Sequence, residues 1–461
     1  MQDDIDLAEA LADSLAAVLG TVEVRDLTRL TGGASRETWA FDAVGAGGTR
    51  TQLVLRRDPP GRPGPAGSMA LEAAAMRLAD AVGMAVPEVL LDVDDPAVWG
   101  SSGLIMRRVD GEALGRRILR DEQFEHARVA LVEQSATALA RLHSIDPSEL
   151  PAATELEPLG TMRSLLDGFG EPVPTFEYAL AWLERRRPEP TGRAIVHGDF
   201  RLGNLLVDPA GLTAVLDWEL LHVGDPAEDL GWFCVRAWRF GAAAPVAGLG
   251  EREELLAAYA AAGGVAVDLS TLRWWEAYGT LRWGIICLNQ AAAHLSGAVR
   301  SVELAAIGRR VCETEWDLLG LLAPEAAASA ATRRDEDAGD APVTAASPPG
   351  LHGRPTSLEL VEAVREFLEA QMATASRSAS YHARVAANAL GIVERELARG
   401  AAPLERRALA LASLGLSSER DLADAIRAGR WALDDAQLLA VLADGVLERV
   451  GVANPRYLSP S

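Results

Sequence analysis

One stretch restricts the fold more than any other: Ile195-Val196-His197-Gly198-Asp199-Phe200-Arg201-Leu202-Gly203-Asn204-Leu205-Leu206-Val207, followed by Ala214-Val215-Leu216-Asp217-Trp218-Glu219. Asp199 and Asn204 stand five residues apart between two strand-like pieces, and Asp217 follows a short strand, a turn and a second strand. The surroundings divide in two. Upstream, Val22 to Leu30, Glu37 to Ala43 and Thr51 to Arg57 read as strands, parted by Thr31-Gly32-Gly33-Ala34-Ser35 and by Gly45-Ala46-Gly47-Gly48. A helix is predicted over Met69 to Val82, then strands over Pro87 to Val93 and Gly103 to Val109. This makes a sheet of about five strands with one helix inserted and a short leading helix over 5–19. From residue 121 the pattern turns helical, with Gln123 to Ser144 the clearest case, and it is helical again from Pro226 to Leu322.

A protein kinase catalytic loop, H-R-D-x-x-x-x-N, has the same Asp-to-Asn interval and a second acidic residue in the same relative place. Phosphoryl transfer needs these residue types. One carboxylate (Asp199) accepts a proton from the attacking hydroxyl, while an amide oxygen (Asn204) and a second carboxylate (Asp217) hold Mg²⁺, because hard cations prefer oxygen ligands. Upstream, Gly32, Gly33 and Ser35 lie in a turn where backbone N–H groups can approach phosphate. Leu53-Val54-Leu55-Arg56 occupies the place of the kinase V-A-I-K, so Arg56 is the phosphate-binding cation, Glu72 its helix partner, and Met106 opens a hinge running to Gly111. Arg56 replaces the lysine many kinases carry. All 44 basic residues are arginine, and a planar guanidinium can still bridge phosphate oxygens and Glu72. His197 is expected to brace the loop, Asp225 and Asp229 to cap a helix start, and Glu219 either to reach metal or to face solvent.

His197-Gly198-Asp199-Phe200-x-x-x-Asn204, Asp217-Trp218-Glu219 and Gly224-Asp225-Pro226-x-x-Asp229-Leu230 together resemble the aminoglycoside phosphotransferase-like family of small-molecule kinases, over about residues 20–322. Within it the chain looks most like the branch related to the kinase domain of acyl-CoA dehydrogenase fusion proteins. The resemblance implies a bilobal protein-kinase-like α+β fold, ATP and Mg²⁺ as co-substrates, and a hydroxylated small molecule as acceptor.

Composition bounds the rest. With 66 acidic and 44 basic residues the formal charge is −22, which repels phosphate backbones and anionic lipid heads and argues against nucleic-acid or membrane partners. Apolar residues at 49% suffice for full-sized cores. Cys234, Cys287 and Cys312 show neither zinc nor disulfide spacing and read as core fillers. An acidic start and no apolar run of about 18 residues predict a cytoplasmic protein. The Arg/Trp mixtures over 231–240 and 272–283 suit an acidic or acyl-bearing acceptor such as a hydroxyacyl-CoA better than a polycationic antibiotic. The rivals are an antibiotic acceptor and a nucleotide-binding pseudokinase scaffold.

The chain thus divides into a kinase-like domain over 1–322, a flexible linker over 323–354 rich in Ala, Ser, Asp, Pro and Gly, and a separate all-α module over 355–461. That module resembles a small helical family of unknown function. Tyr381, His382, Arg384 and Asn388 could form a polar patch there, and the module is the candidate surface for a homodimer or a protein partner.

Overall fold

The computed structural model describes residues 7–30, 36–59, 64, 68–337, 353–357, 360, 361, 363, 364, 367, 379–399 and 401–458. These fall into two compact units, one of residues 1–156 and 189–272, the other of 157–188 and 273–461.

In the first unit α1 (Leu7–Leu19) precedes β1 (Val22–Leu30), β2 (Glu37–Gly45) and β3 (Arg50–Arg57). Then come α2 (Ser68–Ala81), β4 (Val89–Val93), α3 (Pro96–Trp99) and β5 (Gly103–Arg107). The five strands form one antiparallel sheet, five being the number read from the sequence, in the order β1-β2-β3-β5-β4. Alternation also sorts the two arginines that end β3. Leu53, Leu55 and Arg57 turn to one face, where the leucines join Leu11, Leu15, Phe41, Trp99 and Ile105 in a core. Arg57 is spent there on Glu37 and the Trp99 carbonyl. Arg56, one residue earlier, faces the other way.

Below the sheet α4 (Gly115–Arg120) and α5 (Glu125–His143) lead, after the excursion 157–188, to β6 (Ala194–Val196). The strands β7 (Leu205–Asp208), β8 (Gly211–Val215) and β9 (His222–Gly224) follow. β6 pairs with β9 and β7 with β8. Loop 197–204 therefore hangs between two small sheets, and Asp217 lies on the segment that joins them. α5 packs against β6, β8 and α9 (Arg252–Ala261), burying Leu131, Leu139 and Leu142 with Phe200, Leu205, Val215 and Tyr259.

The second unit is helical. α6 (Pro158–Phe169), α7 (Pro174–Arg185), α10 (Leu269–Leu295, from residue 273), α11 (Val302–Gly308) and α12 (Val311–Leu322) belong to it. So do α13 (Pro324–Asp337), α14 (Ala379–Arg399), α15 (Ala402–Ser413), α16 (Glu419–Arg427) and α17 (Ala436–Ala453).

Two expectations change here. The predicted linker begins as a helix: Pro324-Glu-Ala-Ala-Ala-Ser-Ala-Ala is rich in the best helix former, and Ala327 and Ala330 bury against α17. Of the rest, 338–352 lies outside the described residues. The tail is also not free-standing. Tyr178 of α7 and Cys312 and Leu319 of α12 share one core with Leu411, Leu422, Leu442 and Val446, because each amphipathic helix needs a second apolar face to cover its own. Of the expected polar patch, Tyr381 donates to Glu303 at 3.0 Å and packs edge-on against His382. Tyr381 thus reaches α11. No described helix is long and apolar enough to cross a membrane.

Candidate active site

All described site candidates lie in the first unit. Loop 197–204 takes its shape from a buried carboxylate. Asp229, on α8 (Ala227–Cys234), accepts the backbone N–H of His197 at 2.8 Å and of Gly198 at 2.9 Å, and His143 at the end of α5 stands 3.1 Å from it. Of the two carboxylates expected to cap N–H groups at this helix start, Asp225 does so from just before the N-cap residue Pro226, accepting from Ala227 N and also from Thr191 N. Gly198 sits at φ 79°, and a Cβ there would run into the Leu220 carbonyl, so only glycine fits.

His197 braces the loop, as expected. Its Nε2 lies 3.1 Å from the Leu216 carbonyl and its Nδ1 accepts the Asp199 N–H, which assigns the proton to Nε2. Burial holds its pKa below the ordinary histidine value, against the pull of Asp229, Asp199 and Asp217, so the ring stays neutral. Asp229 is held below the usual carboxylate range: burial raises it, but the His143 hydrogen bond and charge and the His197 N–H prevail.

Asp199 is held by three donors. Trp232 Nε1 reaches Oδ1 at 3.0 Å, Arg201 Nε reaches the two oxygens at 3.0 and 3.1 Å, and Asn204 Nδ2 reaches Oδ2 at 2.6 Å. The carboxylate is fixed in one orientation, with Asn204 tied to it. Asn204 spends its NH₂ on Asp199, so its Oδ1 remains an acceptor without a partner among the described residues. Asp217 follows β8 at φ 68°, a backbone state rare for a residue with a side chain. Its side chain is 31% exposed.

Arg56, the expected phosphate-binding cation, is arranged differently from expectation. Arg56 bonds Asp217, stands 3.6 Å from Glu219, and is 3.8 Å from Glu72. The near partner of Glu72 is Arg36, whose Nε also lies 3.2 Å from Asp58. Two arginines therefore share one glutamate: Arg56 is drawn to Asp217, and Arg36 makes the close pair with Glu72. Burial pushes the Glu72 carboxyl up, against Arg56 and Arg36. For Asp217 burial acts upward too, but the charge and hydrogen bond of Arg56 hold it below the usual range.

Gly32, Gly33 and Ser35 lie outside the described residues. Met106 is buried on β5, opposite Val54 on β3 and Val89 on β4. Just past the segment read as a hinge, Glu112 and Val207 of β7 make a mutual backbone pair at 2.8 and 3.0 Å.

Asn204 Oδ1 and the Asp217 carboxylate are hard oxygen donors and fit Mg²⁺. No group of three or more His, Cys, Asp or Glu among the described residues could hold a metal without help. Two protein ligands suit a Mg²⁺ that keeps waters and takes the rest of its shell from phosphate. Sequence reasoning missed Arg36, Arg201 and Trp232. Arg36 and Arg201 stood beside motifs already singled out, and Trp232 lay in the Arg/Trp stretch over 231–240, but nothing in the sequence tied it to Asp199, 33 residues away.

The model of a phosphotransferase enzyme family matches residues 26–275, and that of a domain of unknown function (DUF6285) matches 373–457. Acyl-CoA dehydrogenase family member 10 of Mus musculus is 30% identical over 203 residues, which are 40% of this chain and 18% of that protein. A probable acyl-CoA dehydrogenase of Arabidopsis thaliana, IBR3, is 30% identical over 231 residues, 44% of this chain and 27% of its own length. Both curated relatives are thus far longer than the part this chain matches. An aminoglycoside 3'-phosphotransferase of Streptomyces fradiae is 29% identical over 161 residues, 32% of this chain and 57% of that one. Among solved structures, one from Ralstonia eutropha assigned to the aminoglycoside phosphotransferases superposes with a TM-score of 0.52 at 21% identity. It covers 68% of this chain and 96% of that one. That likeness bears out the expected kinase-like fold.

Proposed function

We propose, because the chain belongs to the phosphotransferase enzyme family, that it moves the γ-phosphoryl group of ATP, with Mg²⁺, to a hydroxyl of a small molecule bearing negative charge or an acyl group, a hydroxyacyl-CoA or another anionic metabolite. The observation that supports this most is the Asp199 carboxylate, held by three donors, Arg201, Asn204 and Trp232. In this reading Asp199 orients the acceptor hydroxyl and takes its proton as oxygen attacks phosphorus and the bond to the β-phosphate oxygen breaks. Asn204 and Asp217 hold Mg²⁺, which when bound neutralises charge on the phosphate oxygens. Arg56 grips phosphate, with Glu72 and Arg36 fixing the ground beneath it. Backbone amides at Gly32, Gly33 and Ser35 cover the phosphates, and Met106 borders the base.

Besides Asn204, the partners of Asp199 are an arginine and an indole, and the arginine lies against a second indole, Trp238. That surface suits an anionic or acyl-bearing acceptor better than a polycation, which calls for clustered carboxylates. The test is ATP consumption by the purified protein with Mg²⁺ against hydroxyacyl-CoAs, free hydroxy acids and aminoglycosides, with Asp199→Ala as control. Turnover that needs both an anionic acceptor and Asp199 is expected. Turnover with aminoglycosides alone overturns the acceptor class, and Mg–ATP binding without turnover across the panel favours a scaffold.

A further inference from the structure

Arg201 does more than pair with Asp199. Its guanidinium carbon stands 4.9 Å from the centroid of the Trp238 ring. Trp238 in turn lies 5.3 Å from Trp232, the indole that bonds Asp199. On another side a Cβ at Gly203 would come within 2.5 Å of a terminal nitrogen of Arg201, so the absence of a side chain there leaves the guanidinium its room. The plane is thus held by a carboxylate, an aromatic face and a glycine. Even so, the side chain is 26% exposed, and its two terminal nitrogens have no hydrogen-bond partner among the described residues.

A preorganised cation with two spare donors, adjoining the group that receives the acceptor hydroxyl, is a receptor for a planar anion. We infer that Arg201 binds a carboxylate of the acceptor itself, and that the acceptor is a short hydroxycarboxylic acid; this rests on the phosphotransferase reading above. The guanidinium is rigid, and its Nε is committed to Asp199. Its free donors therefore lie within about 5 Å of a hydroxyl bound at that carboxylate. A hydroxyl and a carboxylate separated by roughly two to four carbons span that distance. A CoA thioester carries no charge at its carbonyl, and its phosphates sit at the far end of a long arm, beyond this reach.

The experiment compares 3-hydroxybutyrate with its uncharged methyl ester and with its CoA thioester. kcat/KM is measured for each in the full-length protein and in Arg201→Gln and Arg201→Lys, with thermal unfolding to confirm that the variants fold. The wild type is expected to prefer the free acid to the ester by about tenfold or more, the scale of one charge-assisted pair. Arg201→Gln should bring that ratio close to one, and Arg201→Lys should restore part of it. A ratio that persists in Arg201→Gln, a loss shared equally by acid and ester, or a wild type that prefers the thioester overturns the inference. Tryptophan fluorescence, reporting through Trp232 and Trp238, gives a readout without turnover. In the presence of Mg–ADP, a wild type with no saturable response to 3-hydroxybutyrate overturns the inference as well. Failure to bind Mg–ADP at all overturns instead the phosphotransferase reading beneath it.

Discussion

The two units of this chain use charge in opposite ways. In the helical unit buried ions are matched by opposite charges and carbonyls. Arg449 meets Glu315 at 2.6 Å, Arg407 takes both oxygens of Glu419 and the Val441 carbonyl, and Arg309 meets Glu396 and the Pro355 carbonyl at 2.8 Å each, although its Nε is buried without a partner among the described residues. Each pair ties one helix to another. In the unit with the sheet, the ions around Asp199 and Asp217 keep an open edge: Arg56 has three acids within 4 Å, Asn204 has a spare oxygen, and Arg201 has two spare nitrogens. Saturated pairs hold a shape, whereas pairs with unspent valence are placed where a ligand can complete or exchange them. Asp229 is the instructive exception. It belongs to the site but is as closed as any pair in the helical unit, because its task is to hold a loop.

The contrast breaks most directly at Asp199. Asp199→Ala should lower turnover by about 10²–10⁴-fold while the thermal midpoint and Mg–ATP binding move little. Steady-state kinetics beside a melting curve checks this; a large loss of stability would place Asp199 with the closed pairs. Arg309→Ala is the mirror image, since it strands Glu396 in a dry interface. A loss of roughly 3–5 kcal/mol in denaturant unfolding is expected, with KM for the acceptor unchanged in the fraction that stays folded.

Acidification sharpens the exception. His197 and Asp229 are both depressed in the folded protein, so the unfolded chain binds more protons between their folded and unfolded values. The stability they contribute is complete above the unfolded values, near ~6.5 for the histidine and ~3.9 for the carboxylate. It is lost as pH falls through the folded ones. The melting temperature should therefore begin to fall below about pH 6.5, and His197→Gln should flatten the first part of that fall in a scan of melting temperature against pH. The smallest effect belongs to Arg56→Lys, which keeps the charge and gives up the planar fork. KM for ATP should rise by about threefold to tenfold with kcat little altered.

What the sequence could disclose was what depends on short intervals and on order. Asp199, Asn204 and Asp217 are spaced by a loop and a hairpin, and the strand alternation that separates Arg56 from Arg57 is local as well. The capture of Glu72 by Arg36 was not legible, because two arginines 20 positions apart, one just before β2 and one on β3, reach the same carboxylate only once the sheet has formed. The bond from Trp232 to Asp199 joins a helix to a loop in the same manner. Pro324–Asp337 was misread for the opposite reason. It lacks an apolar stripe of large residues, yet the methyl groups of Ala327 and Ala330 are enough to bury one side of it. The tail's shared core stayed hidden too, since an amphipathic helix announces that it has a partner and never which one.

The Arg56 side chain at the head of the site has a practical side. Reagents that mark nucleotide sites by acylating an amine need a lysine, and this chain has an arginine where the kinase pattern carries one and no lysine elsewhere in its 461 residues. Amine-directed activity profiling of a cell extract will therefore pass over its side chains. A dicarbonyl that condenses with guanidinium can reach Arg56 and Arg201, and protection by added nucleotide or hydroxy acid would then report separately on the two halves of the site.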